Sequence, residues 1–172
     1  LNLKPMVSSN TATHETNFTV SVDAAKNITT GISAKDRYET VKVLINENSS
    51  PKDLARPGHM FPLIAKNGGV LQRAGHTEAA MDLARMAGLK PSSILVEIMD
   101  EDGSMARKDS LQKIATKFDM KIISISDLIE YRRRNDRLVE EISSVPFPTS
   151  NGDFVLKLFE DKINNDHHVA II

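Results

Sequence analysis

Two hydrophobic periods take turns along this chain. In "NFTVSVDA", Phe18, Val20 and Val22 alternate with Thr19, Ser21 and Asp23, which predicts a half-buried strand over residues 17 to 23. The pattern then lengthens. Tyr38, Val41, Leu44 and Ile45 recur at helical spacing behind Ser33, a residue suited to an N-cap with Asp36 in the capping-box position, so a helix is expected from about 34 to 46. A polar loop broken by Pro51 and Pro57 leads to "MFPLIAK", which reads as a short buried strand closed by the turn "NGG". A second helix is expected over 77 to 87, capped by Thr77, carrying Ala80, Leu83, Ala84 and Ala87 on one face and ended by Gly88 and Pro91. "SILVEIM" predicts a strand, Ser110 to Phe118 a helix, "KIISI" another strand, and "DLIEYRRR" a helix capped by Ser126. Strands and helices therefore alternate, which argues for a sheet covered by helices rather than a bundle or a sandwich. After the last helix "PFPTSNGDFVLKLFED" starts a new register with two prolines and a turn, which puts a boundary near residue 140.

Composition narrows the function more than the fold. A chain of 172 residues, 40% hydrophobic, can bury one ordinary core and is short for two full domains. With 22 basic and 23 acidic residues the net charge is -1, so no global field favours nucleic acid or an anionic membrane, and any anion must be held locally. Cysteine is absent, which removes disulfides and thiolate zinc sites and leaves His, Asp and Glu as metal ligands; magnesium or manganese suits that set. The sequons at Asn17, Asn27 and Asn48 follow no signal peptide and read as chance, so a cytoplasmic protein is expected. Leu1 at the start and the apolar "HHVAII" at the end read as an excerpt of a longer chain.

The densest chemistry lies in "RAGHTEAA", where a helix begins. A helix N-terminus offers unpaired N–H groups and partial positive charge; Arg73 adds a two-point fork and Thr77 a hydroxyl, which together make a phosphate cradle. His76 either points an imidazole at a divalent metal or merely packs at the helix entrance. His59 follows a Pro-Gly turn in "RPGHMF", which presents it from a loop. Glu97 interrupts the apolar "ILVEIM"; it is either a carboxylate suited to proton transfer or a residue on the solvated side of a sheet. The run Arg132, Arg133, Arg134 reads as a solvated helix C-terminus, favoured by the macrodipole.

Taken in order, "TGISAKDR", "RPGHMFPL", "GGVLQRAGHTEAAMDLARMAG", "EIMDEDGSMAR" and "SISDLIEYRRR" resemble the successive motifs of 3,4-dihydroxy-2-butanone 4-phosphate synthase of riboflavin biosynthesis. The likeness covers roughly residues 1 to 138 and implies the fold class α+β, a mixed β-sheet covered by helices in the layered α-β-α fold of that family, with its N-terminal part missing. It implies a homodimeric enzyme that uses Mg2+ (or Mn2+) to convert D-ribulose 5-phosphate to L-3,4-dihydroxybutan-2-one 4-phosphate and formate. By motif matching, His76 is the metal ligand, Arg73, Ala74, Gly75, His76 and Thr77 with Glu97 bind substrate, and His59 and Glu97 are catalytic. The family's acidic loop, D-x-E-x-E-G-D, which shares the metal, lies upstream of the strand that opens this chain, so residues 1–172 alone are expected to be inactive. The last part resembles the opening strands of GTP cyclohydrolase II, giving domains 1–140 and 141–172, with His167 and His168 as ordinary hairpin residues rather than zinc ligands. Two other functions remain open at this point: a truncated, non-catalytic binding or assembly module, and a cyclohydrolase activity resting on the tail.

Overall fold

A computed structural model describes residues 1–14 and 16–172. The chain forms two compact units, one of residues 1–65 and 84–92 and one of residues 66–83 and 93–172. Among the described residues the α+β class holds, with four α-helices, but the expected single mixed sheet is replaced by two small antiparallel sheets, one in each unit.

The first unit is built around strand β1 (Val22–Ala24), helix α1 (Ala34–Ile45) and strand β2 (Leu54–Met60). All three residues of β1 are buried, and the alternation seen over 17–23 does not hold upstream of it: Thr19 is buried while Phe18 is exposed. Thr19 tolerates burial because its N–H and its hydroxyl both donate to the Pro62 carbonyl, at 2.9 and 3.1 Å. Helix α1 starts as expected, with Ser33 Oγ accepting the Asp36 N–H at 3.1 Å. Its inward residues, however, are the polar Asp36 and Thr40, while Tyr38 is exposed. The Thr40 hydroxyl accepts the Ala24 N–H at 2.9 Å and donates to the Asp36 carbonyl at 3.1 Å, so a polar contact joins helix to strand.

The strand expected at "MFPLIAK" lies instead just before it, in β2, because the backbone of 54–60 finds β1 as its partner. Leu63 keeps only an isolated bridge to Phe18. Pairing of Asp23 with Ala55 and of Val22 with Met60 leaves Arg56, Pro57, Gly58 and His59 looped out opposite a single step of β1. Such a bulge bends the strand and re-aims the side chains it carries.

The second unit holds most of helix α2 (His76–Met86), helices α3 (Lys108–Phe118) and α4 (Ile125–Asn135), and the antiparallel sheet β3 (Val139–Thr149), β4 (Gly152–Asp161) and β5 (His167–Ile171) in that order. Val70, Ala79 and Leu128 form its small apolar core, with Ile125 and Ile129 packed against it. Neither "SILVEIM" nor "KIISI" is a strand. Ile94, Val96, Ile122 and Ile123 are exposed, and the first segment makes an isolated bridge at its last residue, Met99, to Met105. Helix α4 is capped by Ser124 rather than Ser126, its Oγ accepting the Asp127 N–H at 3.1 Å. His167 and His168 pair with Glu160 and Phe159 as ordinary strand residues.

Candidate active site

In the first unit the chemistry gathers at the bulge. Gly58 sits against β1 so closely that a Cβ would lie 2.0 Å from the Val22 carbonyl carbon, so only glycine fits. Its N–H donates to Ser21 Oγ at 3.2 Å. The next residue, His59, is thereby brought over Asp23: its N–H donates to Asp23 Oδ1 at 2.9 Å, and its Nδ1 lies 2.6 Å from Asp23 Oδ2. The Asp23 side chain is 8% exposed and the His59 side chain 45% exposed, so a sheltered carboxylate holds one edge of a ring that remains open to solvent. Sequence reasoning found His59 and missed Asp23, which the strand alternation had assigned to a solvated face.

The loop beside this pair is fixed by Asp36. Its carboxylate accepts the Thr29 hydroxyl at 2.7 Å, the Thr29 N–H at 3.1 Å and the Gly31 N–H at 3.0 Å. The Thr29 hydroxyl is the main reason the Asp36 carboxyl is held below its ordinary value of 3.8. Gly31, at φ +86°, is pressed against the pair; a Cβ there would lie 2.2 Å from Asp23 Oδ2 and 2.7 Å from His59 Nδ1.

In the second unit the loop 66–75 runs into α2. The helix begins at His76, one residue before the expected start, so Thr77 is buried inside the first turn and is not its cap. Ala74 and His76 are exposed, and Arg73 and Gly75 are half-buried. The expected cradle contains an unexpected acid. Glu78 is fully buried; its Oε1 accepts the Lys66 N–H at 3.0 Å and its Oε2 accepts Arg73 Nη1 at 2.6 Å. One end of the Arg73 fork is therefore committed to the protein.

Behind this loop, Asp82 accepts the Val70 N–H at 2.8 Å and Arg132 Nη1 at 2.8 Å, and the same Arg132 nitrogen donates to the Gly68 carbonyl at 2.9 Å. Arg132 also pairs with Asp136. The basic run is thus not uniformly solvated: Arg132 is 12% exposed and clamps the loop, whereas Arg134, paired with Glu130, is open to water.

Glu97 is not a buried carboxylate in a strand. It lies in irregular backbone with a side chain 70% exposed, and its Oε1 is 3.3 Å from His76 Nε2, whose side chain is 62% exposed. The cost of burying a charge, which drew attention to Glu97, does not apply there. An imidazole nitrogen and a carboxylate oxygen at this separation are suitable donors for a hard divalent ion whose remaining positions are water. Among the described residues no group of three or more His, Asp or Glu side chains converges.

The profile of the 3,4-dihydroxy-2-butanone 4-phosphate synthases matches residues 1–131. The chain belongs to this family. The riboflavin biosynthesis protein RibBA of Cytophaga hutchinsonii is 57% identical over 173 residues, covering 100% of this chain and 43% of that protein. A solved two-domain synthase from A. baumannii superposes with a TM-score of 0.84 at 44% identity, over 99% of this chain and 50% of that one. A structure of a 3,4-dihydroxy-2-butanone 4-phosphate synthase in complex with two magnesium ions gives 0.71 at 35% identity, over 79% of this chain and 68% of that one. The chain thus spans less than half the length of the RibBA relative, and the synthase profile stops before β3, while both the RibBA relative and the two-domain synthase also match the tail. Among the described residues, no helix is long and apolar enough to cross a membrane.

Proposed function

We propose that this chain supplies the larger part of a catalytic domain that converts D-ribulose 5-phosphate to L-3,4-dihydroxybutan-2-one 4-phosphate and formate, in the cytoplasm and as a homodimer. The observation that carries the reading is the pairing of His59 with buried Asp23, an imidazole held by a carboxylate, within a chain of the synthase family. Enolisation, a skeletal shift and loss of a one-carbon unit all require protons to move at defined atoms. His59 and Glu97 are the groups proposed to move them. The loop Arg73, Ala74, Gly75, His76 and Thr77 is proposed to hold the phosphate at the start of α2, where N–H groups and the helix dipole favour an anion. Glu97 is proposed to touch the substrate as well.

Mg2+ (or Mn2+) is the proposed cofactor, held by His76 Nε2, and the 3.3 Å approach of Glu97 to that nitrogen supports an ion at this place. Bound there, the ion would polarise neighbouring substrate oxygens. Because one protein histidine with water as the other ligands holds a divalent cation weakly, residues 1–172 alone are proposed to lack turnover. The domain division is proposed at residue 140, with 141–172 opening a cyclohydrolase II-like domain; the end of the family match at residue 131 and the start of β3 at Val139 support it.

The test is formate release from D-ribulose 5-phosphate and Mg2+ by the full-length protein, by its His59→Ala variant and by residues 1–172. Turnover by the full-length protein alone is expected. A full-length protein that releases no formate, or a His59→Ala variant as fast as the parent, overturns the reading.

A further inference from the structure

We propose that Asp23 is a positioning residue that fixes the tautomer of His59, so that Nδ1 carries the hydrogen in the neutral ring and Nε2 is the atom that takes and returns the proton; this rests on the reading of His59 as a proton carrier. An ionised carboxylate can only accept hydrogen bonds. Asp23 Oδ1 already accepts the His59 N–H at 2.9 Å, and Oδ2 lies 2.6 Å from Nδ1, a distance that requires a hydrogen between them. Both oxygens of one carboxylate are thus turned to one residue, its backbone and its ring. The orientation of the imidazole is therefore set from two points.

Three further features preserve that geometry. The bulge over Arg56–His59 delivers the ring, and Gly58 lets the bulge lie flat on the main chain of β1. Gly31 then closes the side of the pair with a hydrogen atom where any side chain would strike both Asp23 and His59, and Asp36 holds Gly31 there through its N–H. The chemical consequence is a division of labour across the ring. When a C–H or O–H bond of the substrate breaks, its proton forms the new Nε2–H bond and the electron pair stays on the substrate. The positive charge left on the ring then faces the Asp23 carboxylate. Without the carboxylate the neutral ring is free to place its hydrogen on Nε2, where it cannot accept a proton.

Two measurements on the full-length protein test this. Nitrogen-15 NMR of histidine-labelled protein should show neutral His59 protonated at Nδ1, with Nε2 bare; the opposite tautomer overturns the proposal and does not depend on any variant folding. Asp23→Asn should lower kcat by roughly 30-fold or more with KM within about threefold, the size expected when an orienting partner of a working histidine is lost. Asp23→Glu, which keeps the charge, should recover at least part of that loss. Asparagine and wild-type protein with kcat within about twofold of each other overturns the proposal, whereas full activity in His59→Ala overturns the reading beneath it. The two failures are therefore distinct.

Discussion

Glu78 is buried beneath Arg73, its Oε2 accepting the guanidinium Nη1 at 2.6 Å while its Oε1 holds the backbone of Lys66. The arginine at the mouth of the loop is therefore pinned from below rather than free to sweep through solvent. Removing it strands a carboxylate in the interior, and breaking a buried pair in this way costs about 3 kcal/mol. Arg73→Met should lose about that much stability in a urea titration. Arg73→Lys keeps the charge and loses the planar fork, so it should unfold less readily than the methionine variant while raising KM for D-ribulose 5-phosphate by roughly tenfold. Equal stability of the two variants would show that Glu78 is satisfied without Arg73.

His76→Ala should abolish metal-dependent formate release by the full-length protein and change its thermal midpoint little. The side chain is 62% exposed at the first residue of α2, away from the core, where substitutions usually shift stability by no more than about 0.5 kcal/mol. Unchanged formate release removes the histidine from the metal site.

Glu97→Gln separates chemistry from charge burial. The exposed carboxylate contributes little to folding, so urea midpoints should agree within error, while formate release falls to a small fraction of the parent rate because the amide cannot carry a proton. A variant with ordinary turnover assigns the proton transfer to another residue.

Asp36 links acidity to the loop beside His59. The Thr29 hydroxyl, at 2.7 Å, leads the hydrogen bonds that lower its carboxyl below 3.8. A depressed folded value means stability that is fully present above the unfolded value and is lost as pH falls through the folded one. Compared with Asp36→Asn, the parent should be more stable by a constant margin near pH 6 to 7, and that margin should shrink as the pH drops below about 3.8. Thr29→Val should narrow the margin at neutral pH. A gap between parent and Asp36→Asn that does not change between pH 6 and pH 2.5 contradicts the assigned hydrogen bonds; urea midpoints along a pH series measure it.

What the sequence revealed of the fold was what neighbours in the chain decide. The Ser33 cap, the helix after it and the start of α2 to within one residue all depend on groups three or four positions apart. Strands depend on a partner elsewhere. The apolar runs at 93–98 and 121–125 have the composition of strands, but no described strand pairs with them, while "LARPGHM", with a proline and a glycine, is a strand because β1 lies beside it. The inward face of α1 was misjudged for a related reason. Asp36 and Thr40 are buried because they hydrogen-bond to residues 29, 31 and 24, pairings no helical periodicity encodes.

At the site, the cost of placing a carboxylate within an apolar run applies to Asp23 and not to Glu97. Glu97 is exposed, whereas Asp23 is flanked by Val22 and Ala24 and buried with them. Arg132 was hidden differently, among identical neighbours that do face water.

The crossing of Gly58 over Val22 makes the two segments behave as one solid joint. The residues between them, α1 and the turn at 47–48 included, form a closed loop whose ends are fastened there and whose helix Thr40 holds to β1. Residues inserted at 47–49 lengthen the loop but leave its ends where they are, at an entropic cost that grows only slowly with length. A single methyl group at position 58, adding no length at all, would pry the ends apart.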